Sequence, residues 1–174
     1  RMQLLAGKIA LVTGAGRGLG AAIAEGMAAA GALLAVVDID GATAEATAAD
    51  LRAKGFHAEG AALDVTDRTS VMAFANDFTS RHGRLDVLVN NAGVAGRARI
   101  DEDHAPEVWD RVMRVNLDGT FNVSHAFVPA LKAGKGAVVN LSSVAGFVAG
   151  GSTAGYVASK GAVRSLTQVM ARDL

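Results

Sequence analysis

Short apolar runs alternate with longer segments of helical spacing from one end of the chain to the other. Lys8 to Thr13 (KIALVT) is nearly continuous in apolar residues, as expected of a strand buried on both faces. Leu19, Ile23, Met27 and Ala30 follow at helical spacing. Leu33 to Val37 reads as a second strand ending at Asp38, and Gly41 to Lys54 as the next helix. Phe56 to Val65 reads as a third strand leading to Asp64-Val65, after which Asp67 is placed to cap a helix with an inward stripe of Val71, Phe74 and Phe78. Leu85 to Val89 is the fourth strand. A long helix is expected from about Pro106 to Lys132, with Pro106 in its first turn. Ala137 to Leu141 is the fifth strand, and a last helix starts near Tyr156 and packs through Val163, Leu166, Met170 and Leu174. Strict alternation without a boundary, repeat or low-complexity segment predicts one α/β domain over residues 1–174, a doubly wound parallel sheet in a three-layer α/β/α arrangement.

Composition narrows the core and the partners. Hydrophobic residues make up 51% but aromatics only 5%, so the core must be built from Ala, Val and Leu, which suits helices lying close on a parallel sheet. Lys plus Arg and Asp plus Glu both number 17, which removes any electrostatic case for nucleic acid or an anionic membrane as partner. With no Cys there are no disulfides, thiolate metal sites or cysteine nucleophiles. The sequence shows no apolar stretch of about 18 residues and no secretory leader, so the cytoplasm is the expected location.

Candidate chemistry collects at the ends of the strands. Gly14-Ala15-Gly16-Arg17-Gly18-Leu19-Gly20 lies between the first strand and the first helix. Glycines there let the backbone approach a pyrophosphate, whose charge meets free N–H groups at the helix N-terminus; an ordinary tight turn is the alternative. Asp38 can accept hydrogen bonds from an adenosine ribose and repel a 2′-phosphate, or it can cap the following helix. Asn90-Asn91-Ala92-Gly93 closes the fourth strand where open α/β sheets bind ligands, although such a sequence also makes a plain turn. Asn116 is expected to be buried within the long helix, as a ligand-site amide or as a structural polar contact. Tyr156 and Lys160 stand four apart, one helical turn, on one face. A unit charge ~4 Å from a phenolate at an effective dielectric of ~20 stabilises it by about 4 kcal/mol, roughly three pKa units, which brings a tyrosine near neutrality as an acid–base group. A solvated surface pair is the bland alternative.

Taken together, these motifs resemble those of the short-chain dehydrogenase/reductase family, in the family's order and over nearly the entire chain. The resemblance implies a Rossmann fold in which Gly14, Arg17, Gly18, Leu19, Gly20, Asp38, Asp64, Val65, Asn91, Ala92 and Gly93 bind the cofactor, with Tyr156 and Lys160 contributing. Asn116, Ser143, Tyr156 and Lys160 match the family's catalytic four: Tyr156 as general acid/base, Ser143 holding the substrate oxygen, Lys160 on the nicotinamide ribose, and Asn116 supporting Lys160 through water. Asp38 implies NAD in preference to NADP, with Arg17 as a counterweight. The implied reaction interconverts a secondary alcohol and a ketone and requires no metal. A non-catalytic NAD-binding sensor or scaffold, and a sugar-nucleotide epimerase or dehydratase, stay open as alternatives. The substrate pocket is expected between Val94 to Asp103 and Val144 to Gly155, where Arg97, Arg99 and His104 read as solvated loop residues. The resemblance further implies a dimer or tetramer, and a sheet ordered 3-2-1-4-5-6-7. The chain is therefore expected to continue past Leu174, or to need a partner at the edge of its fifth strand.

Overall fold

The computed structural model describes residues 3–174. Five strands, β1 (Ile9–Thr13), β2 (Leu33–Asp38), β3 (Ala58–Ala62), β4 (Val87–Asn90) and β5 (Ala137–Asn140), form one parallel sheet in the order β3-β2-β1-β4-β5. The first five strands of the expected order are therefore present, and the reversal of direction falls between β1 and β4. Leu11 at the centre of β1 stands opposite Ala35 of β2 and Leu88 of β4. Six α-helices connect the strands: α1 (Gly18–Ala29), α2 (Gly41–Ala53), α3 (Arg68–His82), α4 (Ala105–Met113), α5 (Gly119–Gly134) and α6 (Ala154–Asp173).

Strand ends differ from the sequence expectation where a helix claims the backbone. Phe56 N–H bonds to Leu51 O at the end of α2, and Asp64 Oδ1 accepts from Thr66 N–H, so the expected strand from Phe56 to Val65 shrinks to β3. Leu85 N–H bonds to Ala130 O of α5, which delays β4 until Val87. Asp67 caps α3 as expected, accepting from Thr69 and Ser70 N–H. Asp40 caps α2, leaving Asp38 free of that task.

The two faces of the sheet carry unlike cores. On one, Leu11, Val37 and Leu88 pack against Val71 and Phe78 of α3 and Phe127 of α5. On the other, Val12 and Val36 meet Ala24 and Ala28 of α1 and Ala44 and Ala48 of α2. The expected α1 stripe through Leu19 is corrected here: Leu19 is 63% exposed, and Gly20, Ala24 and Ala28 face the sheet. Small side chains let the helix lie close to the strands, while Ile23 and Met27 of the expected stripe pack half-buried against this core. In α6, Val163 is buried, Leu166 and Met170 are half-buried, and Leu174 is exposed, which corrects its expected place in the core.

Asp86 pins the N-terminal ends of the central strands. Its side chain accepts from Ile9 N–H at 2.9 Å, Lys8 Nζ at 3.1 Å and Arg84 Nε at 3.0 Å, while its backbone carbonyl accepts from Ala137 N–H. Burial pushes this carboxyl up, but the Ile9, Arg84 and Lys8 donors together hold it below its ordinary value. The opposite, C-terminal ends of the strands carry the loop from β1 into α1 and the loop after β4.

Candidate active site

The glycine loop between β1 and α1 is fixed from three sides. Ala15 N–H bonds to Val37 O, Gly16 N–H donates to Asp38 Oδ2 at 3.0 Å, and Thr47 Oγ1 of α2 donates to Gly16 O at 3.0 Å. Asn91 Nδ2 donates to Thr13 O and Gly14 O at 2.9 and 3.0 Å. The loop delivers an α1 N-terminus without a side-chain cap and without an acid in its first turn. Unpaired first-turn N–H groups and the positive end of the helix dipole favour an anion there. Gly18, in the left-handed region at φ +58°, has nothing within 4 Å of where a Cβ would stand. At Gly20 a Cβ would collide with Gly14 O, so this glycine serves close packing and Gly18 serves access. An uncapped helix start with clear space beside it fits a dinucleotide pyrophosphate.

Around this loop the other expected cofactor residues take different places. Asp38 lies at the end of β2, where its carboxylate also accepts from Asp40 N–H at 3.2 Å. Arg17 and Leu19 are exposed at the mouth of the loop. Asp64 turns back on Thr66, and Val65 is buried against Gly119 with its carbonyl taken by Asn122 Nδ2 at 3.0 Å. Asn91 and Ala92 donate their N–H groups to Thr13 Oγ1 at 3.1 and 3.0 Å, which ties the end of β4 to the end of β1. Thr13 was not among the expected site residues. A hydroxyl in an apolar strand, directly before the glycine loop, was the available signal.

Asn116, Ser143, Tyr156 and Lys160 come from three separate stretches of chain. Between α4 and α5 lies a π-turn, Arg114–Asp118, instead of the uninterrupted helix expected from Pro106 to Lys132. Within it Asn116 is 1% exposed: its Oδ1 accepts from Val94 N–H at 2.7 Å, and its Nδ2 donates to Val94 O at 3.0 Å and to Ser159 Oγ at 3.1 Å. Ser159 in turn donates to Tyr156 O at 2.9 Å. The buried amide thus joins the loop after β4 to the first turn of α6, with each polar atom satisfied.

Lys160 is also buried. Its Nζ lies 5.8 Å from the centroid of the Tyr156 ring and donates to Leu141 O at 2.6 Å. Burial pushes its ammonium below the ordinary lysine value. A Cβ on Gly93 would stand 3.3 Å from Asn116 Oδ1 and 3.7 Å from Lys160 Nζ, so the glycine keeps the gap between them open. Ser143 caps a short 3₁₀ turn, Val144–Gly146, accepting from Ala145 N–H at 3.1 Å and retaining its own proton to donate. The neighbouring Ser142 donates to Lys160 O at 2.8 Å, which docks this segment on α6.

Tyr156 opens onto a cavity of about 780 Å³. The loops expected to form the pocket contribute Ala95 to Arg97 and Gly151 to Thr153. Val108 and Arg111 of α4 complete a wall that the sequence reading had not assigned. Arg99, by contrast, pairs with Asp101 at 3.1 Å on the surface.

A family model described as short chain dehydrogenase matches residues 8–174. The chain is 44% identical to a D-threitol dehydrogenase of Mycolicibacterium smegmatis, across 97% of this chain and 65% of that protein. It is 41% identical to 2-(S)-hydroxypropyl-CoM dehydrogenase 3 of Xanthobacter autotrophicus, across 97% of this chain and 66% of that protein. The chain thus spans about two thirds of the length of these curated relatives. Among solved structures, a gluconate 5-dehydrogenase from Burkholderia cenocepacia J2315, in complex with NADP and tartrate, superposes with a TM-score of 0.92 at 42% identity, over 99% of this chain and 68% of that one.

Proposed function

This chain belongs to the short-chain dehydrogenase family, and from that premise we propose that it is the cofactor-binding and catalytic part of an NAD-dependent oxidoreductase that interconverts a secondary alcohol and a ketone. The observation that carries the reading is the placement of Tyr156, Lys160, Asn116 and the uncapped α1 N-terminus around the C-terminal ends of the strands. The relatives named above are dehydrogenases of hydroxyl compounds, which supports the same class of reaction.

The glycine loop and Gly18 would hold the pyrophosphate, Asp38 the adenosine ribose, and Lys160 the nicotinamide ribose. A bound nicotinamide cofactor supplies a hydride acceptor or donor. Tyr156 moves the proton at the substrate oxygen, and the Ser143 hydroxyl donates a hydrogen bond to that oxygen, stabilising charge as it develops. Lys160 sets a positive charge beside the phenol. Asn116 positions the first turn of α6 through Ser159, and the open gap at Gly93 gives a water room to touch Lys160.

NAD is proposed over NADP because a 2′-phosphate would bring a second negative charge beside the Asp38 carboxylate. Arg17, exposed at the loop mouth, opposes this, and the solved relative holds NADP. A homo-oligomer in the cytoplasm completes the proposal: Trp109 and Phe121 on α4 and α5 are 41% and 45% exposed, and two such apolar rings on adjoining helices suit a self-complementary interface.

Reduction of NAD by the purified protein across a panel of alcohols, polyols and hydroxy acids tests the activity. Turnover with at least one secondary alcohol is expected. A protein that binds neither NAD nor NADP would sink the reading, and tighter NADP binding would overturn the cofactor choice alone. Light scattering that reports a monomer would remove the oligomer.

A further inference from the structure

One wall of the cavity beside Tyr156 is basic. Arg97, from the loop after β4, and His104 and Arg111, which flank Val108 along α4, line it together. Positions 104, 108 and 111 follow i, i+4 and i+7 spacing and therefore share one face of the helix. Arg97 is held to that face by its own neighbourhood: His104 Nε2 lies 3.2 Å from Arg97 O, and a Cβ at Gly96 would collide with Val108. The loop has no freedom to carry Arg97 away without losing both contacts.

Exposed arginines in this chain are of both kinds: among the described residues Arg17, Arg68, Arg114 and Arg164 make no ion pair, while others do. Arg52, Arg81, Arg84, Arg99 and Arg172 each pair with an acid. Among the described residues neither Arg97 nor Arg111 makes an ion pair, and no acidic side chain lines the cavity they share with Tyr156. Acids stand near this wall without lining it: Glu102, in the adjoining lobe, accepts from Arg99 N–H at 2.8 Å and faces His104 at 3.7 Å, and the exposed Glu107 lies one helical turn before Arg111 on α4. Two unpaired guanidinium groups on one concave wall repel each other and leave a positive potential beside the phenol.

We infer that the substrate is an anionic alcohol, a hydroxy acid whose carboxylate is bound by Arg97 and Arg111 while its carbinol faces Tyr156. The planar fork of a guanidinium matches a carboxylate with two parallel N–H donors, which fixes orientation as well as affinity. Val108, on the same wall, supplies an apolar surface for the carbon chain. His104 acts as a positioning residue by holding the Arg97 carbonyl. The inference rests on the oxidoreductase reading and adds the substrate class to it.

Titration calorimetry of the NADH-saturated protein with 4-hydroxypentanoate and its neutral amide separates the two ideas. The acid is expected to bind about tenfold or more tightly than the amide, and more weakly as salt is raised. Arg97→Gln and Arg111→Gln should each weaken acid binding about tenfold and draw the acid-to-amide ratio toward one. Equal affinity for acid and amide, or a ratio untouched by both substitutions, overturns this inference while NADH binding still supports the oxidoreductase. Absence of NADH binding counts against the oxidoreductase reading itself.

Discussion

Tyr156 occupies the first turn of α6, between the basic cavity and the buried ammonium of Lys160. In the proposed reaction its phenol exchanges a proton with the substrate oxygen. Tyr156→Phe removes that proton and leaves the ring, so turnover should fall by roughly 10²- to 10⁴-fold with cofactor affinity nearly unchanged. Steady-state kinetics and a cofactor titration on the same preparation check it; retained activity would end the assigned role. Lys160 makes a separate, thermodynamic prediction. Because burial places its folded pKa below the ordinary lysine value of 10.5, the unfolded chain binds more protons between the two values. The contribution of this group to stability is therefore least below its folded pKa, rises with pH, and is complete above 10.5. The stability of wild type minus that of Lys160→Met should climb from neutral pH toward alkaline pH in urea unfolding. A flat difference would mean that burial is not what governs the ammonium.

At the scale of elements, the turn from β1 into α1 assigns opposite duties to two glycines that stand two residues apart. Gly18 needs a left-handed backbone but faces open space, so Gly18→Ala should cost only about 1 to 2 kcal/mol of stability. Its methyl group would stand where the pyrophosphate is expected, and the cofactor dissociation constant should rise tenfold or more. Gly20→Ala instead meets Gly14 O and lies 2.9 Å from Ala15 Cα, so folding itself should suffer the larger loss. Denaturation midpoints and cofactor binding for the pair check the contrast. If both variants bound cofactor normally, the loop would not be the phosphate site. The π-turn at Arg114–Asp118 belongs to this scale too. It inserts the extra residue that aims Asn116 at Val94 and Ser159, and hydrophobic spacing along a helix carries no mark of such a bulge.

Across the whole molecule, stability is divided unequally between the two faces of the sheet. Phe74, Phe78 and Phe127 meet edge to face or tilted, with the last two ring centroids 5.4 Å apart, whereas alanines of α1 and α2 fill the opposite core. Phe127→Ala should therefore cost about 3 to 5 kcal/mol, a large share of a typical domain's stability. Ala24→Val, an overpacking change on the other face, should cost about 1 to 3 kcal/mol. Urea unfolding curves measure both. A smaller loss for Phe127→Ala than for Ala24→Val would reverse this account of where the core resists change.

The strand-helix alternation, the buried parallel character of β1, β2 and β4, the Asp67 cap, the glycine loop and the Tyr156–Lys160 spacing were all legible in the sequence, because each is a local pattern of a few residues. Local pattern could not say which side of α1 meets the sheet. Leu19 looked inward by hydrophobicity, yet the close approach of helix and strand buries Gly20, Ala24 and Ala28, with Ile23 and Met27 half-buried beside them. Nor could it release Asp38 from capping α2; Asp40 takes that place, and Asp38 instead accepts from Gly16 N–H, 22 residues away. Thr13 and Ser159 became parts of the site only through partners 76 to 79 and 43 residues distant. Arg97 read as a solvated loop residue until tertiary contact set it beside Arg111 on one wall of the Tyr156 cavity. Charge in a sequence has a position along the chain but no neighbours across space, and it was the folding of α4 against the loop after β4 that supplied them.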